Sequence, residues 1–188
     1  MTVTRTERPA VTAEEYLAAA RTFPTGVTVV ATRYRDDTPA KTVSAFASLS
    51  LDPLLVGVAI GRDSPMVWAA RASGVLSVNV LRADQQHVAD HFAAPAHRRP
   101  LPPPVALSRD TTGAPVLADC LSWFDCRIAT IVPGGDHALL IGRVVAVHTS
   151  PGRPLVHHAG RYRSLVPLPA LPLDPEIPVL PDQGVHAR

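Results

Sequence analysis

Two long strand candidates, Leu121 to Val132 and Ala138 to His148, are separated only by Pro133-Gly134-Gly135-Asp136-His137. Parallel neighbours need a crossover of a dozen or more residues, whereas a short glycine-containing link turns the chain straight back. The chain is thereby committed to antiparallel pairing. Other runs repeat the pattern: Val27 to Thr32 is β-branched, the charged Arg33 to Thr38 suits a hairpin loop, and Val75 to Leu81 makes a further strand. A last pair is expected at Pro154 to His158 and Arg161 to Leu165, turning at Ala159-Gly160. At least six strands and three short helices follow, with no long helices between strands. This favours a closed or nearly closed antiparallel barrel over a parallel α/β sheet.

The stretch with most chemical content is 38–64. From Thr42 to Leu51 the residues alternate, Thr42, Ser44, Phe46, Ser48 and Ser50 against Val43, Ala45, Ala47, Leu49 and Leu51, which predicts one strand with a hydroxyl-rich face and an apolar face. Asp52-Pro53 breaks it, and Leu54 to Ile60 reads as a strand covered on both sides. Ser64 then stands as N-cap and Pro65 as first residue of a helix that Gly74 stops. Helix N-terminal amides beside Arg62 and Ser64 attract phosphate, and a row of hydroxyls can bind a polar ring edge. Taken alone, each feature has a plainer and more common meaning: a solvated strand face and an ordinary helix start.

Elsewhere Thr12 and Glu15 form a capping box for a helix carrying Tyr16, Leu17 and Ala20, and Asp84 is placed to cap a helix with Val88 and Phe92 on one face. A chain of 188 residues that is 46% hydrophobic supports one domain. Its boundaries are read as a flexible arm over 1–11, the barrel over 12–166 and a proline-rich tail over 167–188. A formal charge of +2 gives no field to gather nucleic acid or a membrane surface, so a small-molecule ligand is expected. No apolar run reaches the roughly 20 residues of a membrane span, and the polar start lacks a secretory apolar core, so the cytoplasm is the expected location. Cys120 and Cys126 lie too far apart along a strand to pair and are read as reduced and buried. Their spacing and the scattered histidines match no zinc pattern, so no metal is expected. His97, Arg98 and Arg99 are read as a solvated loop or a contact for an anionic ligand.

Five blocks in one order resemble the short-chain flavin reductases, the NAD(P)H:flavin oxidoreductase partners of two-component monooxygenases. They are Phe23-Pro24-Thr25-Gly26-Val27-Thr28-Val29-Val30, then Thr42 through Pro53, Ser73-Gly74 through Leu81, Gly134-Gly135-Asp136-His137, and His158-Ala159-Gly160-Arg161-Tyr162. The resemblance spans about 13–165. It implies a mainly β fold, a six-stranded antiparallel Greek-key split barrel binding FMN, with a few short flanking helices, usually a homodimer with flavin near the subunit interface. It further implies that Thr42, Ser44, Ala45, Ser48 and Ser50 line the flavin ring and ribityl chain, with Val43 and Ala59 among the flavin-binding positions. Arg62 and Ser64 would take the phosphate. On the nicotinamide side it places His137, as a positioning or polarising catalytic residue, with His158, Gly160, Arg161 and Tyr162.

The implied activity is reduction of free FMN or FAD by NADH or NADPH, hydride passing directly from nicotinamide to flavin N5, with reduced flavin diffusing to a partner monooxygenase. Two alternatives stay open: a flavoenzyme that holds FMN tightly and acts on its own organic substrate, and a non-catalytic flavin-binding protein. The chain departs from the family at Ala40-Lys41, where Lys41 adds a charge near the ligands, at Pro53-Leu54, at Pro65 and in the proline-rich loop Ala94 to Pro104.

Overall fold

A computed structural model of the chain describes residues 11–95 and 105–166. Most of the arm, the centre of the proline-rich loop with His97, Arg98 and Arg99, and the tail lie outside the described residues. The elements run α1 Ala13–Ala20, β1 Thr25–Gly26, β2 Thr28–Ala31, β3 Ala40–Val43, β4 Phe46–Leu51, β5 Leu54–Gly61, α2 Pro65–Ser73 and β6 Val75–Val80. They continue with α3 Gln86–Ala93, β7 Leu107–Arg109, β8 Pro115–Leu117, β9 Ser122–Gly134, β10 His137–Thr149, β11 Val156–His158 and β12 Arg161–Arg163. The fold is mainly β with antiparallel pairing throughout.

Among the described residues the main sheet holds seven strands, not the expected six, in the order β3-β2-β6-β9-β10-β5-β4. β3 and β4 are its two edges, yet only Ser44 and Ala45 separate them in sequence. Laid flat, seven strands at 4.8 Å spacing would set the edges about 29 Å apart, whereas three Cα steps reach at most about 11 Å. The sheet must therefore roll until its edges meet at these two residues.

The roll encloses one core, with Val30, Val56, Val58, Ile60, Leu76, Val78, Cys126 and Leu140. A second core lies beneath α3, where Val29 and Ala31 of β2 meet Val88 and Phe92. β2 is thus buried on both faces. A separate small sheet, β1-β11-β12, stands beside the main one.

The expected single strand over 42–51 is broken. At Ser44-Ala45 the chain folds tightly, with the Phe46 amide donating to the Ser44 carbonyl at 3.0 Å. Beyond that point the side-chain phase changes: Phe46 packs on the enclosed core, while Leu49 and Leu51 of the supposed oily face are exposed. Asp84 is not the cap of α3; Gln85 is, and Asp84 instead forms a two-bond pair with Arg82. Leu54 to Ile60 forms a strand but is not covered on both sides throughout, since Leu54 is exposed, and Tyr16 and Leu17 of α1 are exposed as well. Thr12 and Glu15 make both bonds of the capping box, α2 begins at Pro65, and Gly74 closes it in the left-handed conformation. Cys120 and Cys126 are free and buried, their thiols pushed up by burial to about 11 and about 12. No helix among the described residues is long and apolar enough to cross a membrane.

Glycine substitutions at two sites on neighbouring strands should separate sharply. A Cβ on Gly142 would sit 2.8 Å from the Cys126 Cβ and 3.8 Å from Leu76, atoms fixed in the core. Gly142→Ala should cost about 2 kcal/mol. On Gly57 the new Cβ meets the Leu49 Cδ1 at 2.9 Å, the free end of a flexible, exposed side chain, and Gly57→Ala should cost under about 0.5 kcal/mol. Urea unfolding of both variants checks the order, and equal losses would show that the packing difference is illusory.

Candidate functional site

α2, α3 and β3 converge on one side of the rolled sheet. There, Lys41 of β3, Ser64 and Pro65 at the start of α2, and Ala93 to Pro95 at the end of α3 line a cavity of about 430 Å³. Ser64 is the N-cap of α2, but its side chain makes no capping hydrogen bond, and the loop-to-helix turn is held instead by the Val67 amide donating to the Ser64 carbonyl. The hydroxyl is left for another partner. The Met66 amide, an unspent hydroxyl and the Lys41 cation together present donors and positive charge on one cavity wall, an arrangement suited to a phosphate.

A second cavity of about 160 Å³ adjoins the first at Ala93 and is lined by Thr42, Ser44, His157 and Tyr162. α3 is fastened over it from two sides. The Thr42 hydroxyl donates to the Ala89 carbonyl at 2.6 Å. The Tyr162 hydroxyl bonds to Asp90, and burial, then the Asp90 charge and this bond, raise the phenol above its ordinary range.

His137 sits elsewhere. It opens β10 beside the Arg62 turn, whose amide donates to the Asp136 carbonyl at 3.0 Å. Its Nδ1 lies 2.8 Å from Asp136 Oδ1, and that bond together with the imidazole charge lowers the Asp136 carboxyl. Arg62, Arg71, Val67 and His137 line a third cavity, of about 190 Å³.

The residues singled out from the sequence are therefore only partly brought together. Thr42, Ser44 and Tyr162 share one cavity, and Ser64 lines its neighbour. Arg62 is parted from Ser64 and joins His137 instead, and within one chain His137 and Tyr162 line different cavities. Val43 is a buried core residue whose carbonyl accepts from the Thr28 hydroxyl. Ala45 offers its carbonyl to the Ala59 amide, tying the edge link to β5. Ser48 is exposed and Ser50 half-buried on β4, while His158, Gly160 and Arg161 form the β11–β12 turn, closed by Ala159 and Gly160 at positive φ. Sequence reasoning missed His157 and Asp90. His157 could have been found from its alternation with Val156 and His158, but nothing in the sequence ties Asp90 to Tyr162.

A family model described as "Flavin reductase like domain" matches residues 20–166. The NADH-dependent FMN reductase AsuE2 of Streptomyces nodosus subsp. asukaensis is 37% identical over 155 residues, covering 80% of this chain and 84% of the relative. The reductase component of 4-hydroxyphenylacetate 3-monooxygenase from Thermus thermophilus is 34% identical over 154 residues, covering 81% of this chain and 97% of the relative. Among solved structures, the NADH:FAD oxidoreductase SgcE6 of Streptomyces globisporus superposes with a TM-score of 0.75 at 30% identity, over 86% of this chain and 99% of that one.

Proposed function

This chain belongs to the flavin reductase-like family, and from that premise we propose that it is an NAD(P)H:flavin oxidoreductase delivering reduced FMN or FAD to a separate monooxygenase. The observation carrying the proposal is the Ser64 hydroxyl, uncommitted to its own helix, on a cavity wall shared with Lys41, in a cavity that has Ala93 in common with the hydroxyl-lined cavity of Thr42 and Ser44. The residues fit a flavin phosphate. Ser64, Lys41 and the Met66 amide would hold it, and Thr42 and Ser44 would face the polar part of the ring and its chain.

Bound flavin supplies an electrophilic N5 and reduced nicotinamide supplies the hydride, so the protein needs no strong side-chain base. Its task is to hold two rings face to face and keep water out. Thr42 and Tyr162 serve this by fixing α3 over the smaller cavity. His137, oriented by Asp136 through Nδ1, presents its other ring nitrogen as an acceptor for a carboxamide N–H and acts on the nicotinamide side. His137→Ala should raise the KM for NADH about tenfold with kcat changed less, the pattern of lost ground-state binding; an unchanged KM would remove His137 from that role.

We also assign the rolled sheet to the split-barrel class, the unit of 12–166 to the reductase domain, and the working form to a cytoplasmic homodimer. On the outer side of β4 and β5, Leu49 reaches over Gly57 toward Leu139, and the same strands with β10 expose Leu51, Leu54, Val145 and Val147. Leu51 is 83% exposed. Exposed apolar side chains in this number on three paired strands suit a second copy of the chain. Leu51→Lys should shift the sedimentation profile to monomer and lower activity; wild-type protein that sediments as a monomer would end this assignment.

The activity is tested by following NADH and NADPH absorbance with and without added FMN or FAD. Rapid oxidation only with added flavin is expected. Flavin that co-purifies at full occupancy with negligible NAD(P)H turnover would overturn the diffusible-flavin reading and favour an enzyme acting on its own substrate.

A further inference from the structure

The β2–β3 connection runs antiparallel to α2, and the groove between them holds a separate cavity at each end. Pro39 and Lys41 face the start of the helix at Ser64 and Pro65 in the 430 Å³ cavity. At the far end Arg33, Tyr34 and Arg35 face Ala72 and Ser73 across an open cleft of about 340 Å³. Between the two, Tyr34 and Trp68 meet edge to face with centroids 4.4 Å apart. From Ser64 to Ser73 the helix rises about 13 Å, the length scale of a nucleotide.

The middle and far parts of this groove carry a grouping that internal packing does not use. Trp68 is 56% exposed although it sits one turn into a helix whose neighbours Met66, Val67, Ala69 and Ala70 are buried. The Arg35 guanidinium lies over the Tyr34 ring at 5.2 Å. Arg35 also occupies the left-handed region, φ 51, in the tight Tyr34–Asp37 turn, where glycine would be easier. Neither Arg33 nor Arg35 forms an ion pair among the described residues. A half-exposed indole can stack a purine, and two guanidiniums with no ion pair among the described residues can bind phosphate oxygens.

We propose that the groove between the β2–β3 connection and α2 is a subsite for an adenosine 5′-phosphate moiety, with Trp68 as the stacking face and Arg33 and Arg35 as phosphate and ribose contacts. The inference rests on the flavin-reductase reading, which supplies two cofactors that carry this moiety. That moiety is carried by FAD, which FMN lacks, and by the pyridine nucleotide. The subsite therefore makes the chain select among its own cofactors.

The test compares wild type with Trp68→Ala, Trp68→Phe and Arg35→Gly. Alanine is well tolerated in a helix, and glycine relieves the Arg35 backbone, so both folds should persist. Calorimetry gives Kd for FMN, FAD and AMP, and steady-state assays give KM for NADH. AMP should bind wild type and lose about tenfold in Trp68→Ala, with Trp68→Phe retaining most of the binding. A parallel tenfold loss for FAD with FMN unchanged supports the flavin as source, and a tenfold rise in KM for NADH with both flavins unchanged supports the pyridine nucleotide. Absence of AMP binding to wild type, or FMN and FAD affinities falling together in the variants, overturns the subsite. Wild type that binds AMP but neither flavin would sink the flavin-reductase reading while leaving the adenosine subsite in place.

Discussion

Ser64→Asp should abolish useful binding of FMN while leaving the protein as stable as before, or slightly more so. Aspartate is among the best N-cap residues, and its charge favours the positive end of α2, so the helix loses nothing. A flavin phosphate bound at the same amides would meet a carboxylate in place of a hydroxyl donor. Two unit charges about 4 Å apart repel by about 4 kcal/mol at an effective dielectric of 20. Water and salt in the open cleft reduce this, and about 100-fold weaker FMN binding is the expected result. Riboflavin carries no phosphate and should bind both forms equally. Calorimetry with the two flavins reads the difference directly: if riboflavin weakens as much as FMN, the substitution has disturbed the cavity in general, and if FMN holds, its phosphate lies elsewhere.

Asp125→Ala should cost about 3 kcal/mol of folding stability, the largest single loss expected in the molecule. Asp125 is fully buried in β9 and accepts from both the amide, at 2.7 Å, and the hydroxyl of Thr112. Beside it on β6, Asn79 donates to the Val29 carbonyl at 2.9 Å and accepts from the Leu117 amide at 2.9 Å, while the Ser77 hydroxyl donates to the Pro115 carbonyl. Three polar side chains on two strands thus hold residues 112–117 against the sheet. Removing the carboxylate strands two buried donors, each costing about 1–3 kcal/mol when unmet. Asn at 125 keeps an acceptor for the amide and can donate to the Thr112 hydroxyl, so Asp125→Asn should cost about 1 kcal/mol. Urea midpoints for the two variants provide the measurement, and an Ala variant within 0.5 kcal/mol of wild type would contradict the assignment.

These two sites differ in how far the sequence revealed them. Ser64-Pro65 followed by Gly74 is a local signal, because a helix start and stop are decided by residues only a few positions apart. The same holds for Thr12 with Glu15 and for the glycine turn before His137. Asn79 is a conspicuous polar residue in the mostly apolar run Val75 to Leu81, but its partners at 29 and 117 are distant in sequence, and no periodicity announces them. The break at Ser44-Ala45 was illegible for another reason. Alternation continues across it without a glycine or proline, since the fold changes which strand is the neighbour and which face is covered, not the polarity of the chain. The gap between His137 and Tyr162 was hidden likewise: block order along a chain does not say which blocks share a cavity.

The two-residue link between the sheet's edges also bears on how the molecule comes together in time. β2–β3, β4–β5 and β9–β10 are hairpins whose partners are near in sequence, and each can form early. Joining them requires pairings such as Gly61 with His137 and Thr28 with Val80, which close long stretches of chain and set a slow, millisecond-to-second pace. Ser44 and Ala45 belong to the first two hairpins at once, so they reach their final geometry only after every strand between those edges is in register. Thr42 and Ser44 flank that seam. Catalytic competence should therefore return with the slowest refolding phase, behind the recovery of β signal, and no half-assembled chain should bind flavin.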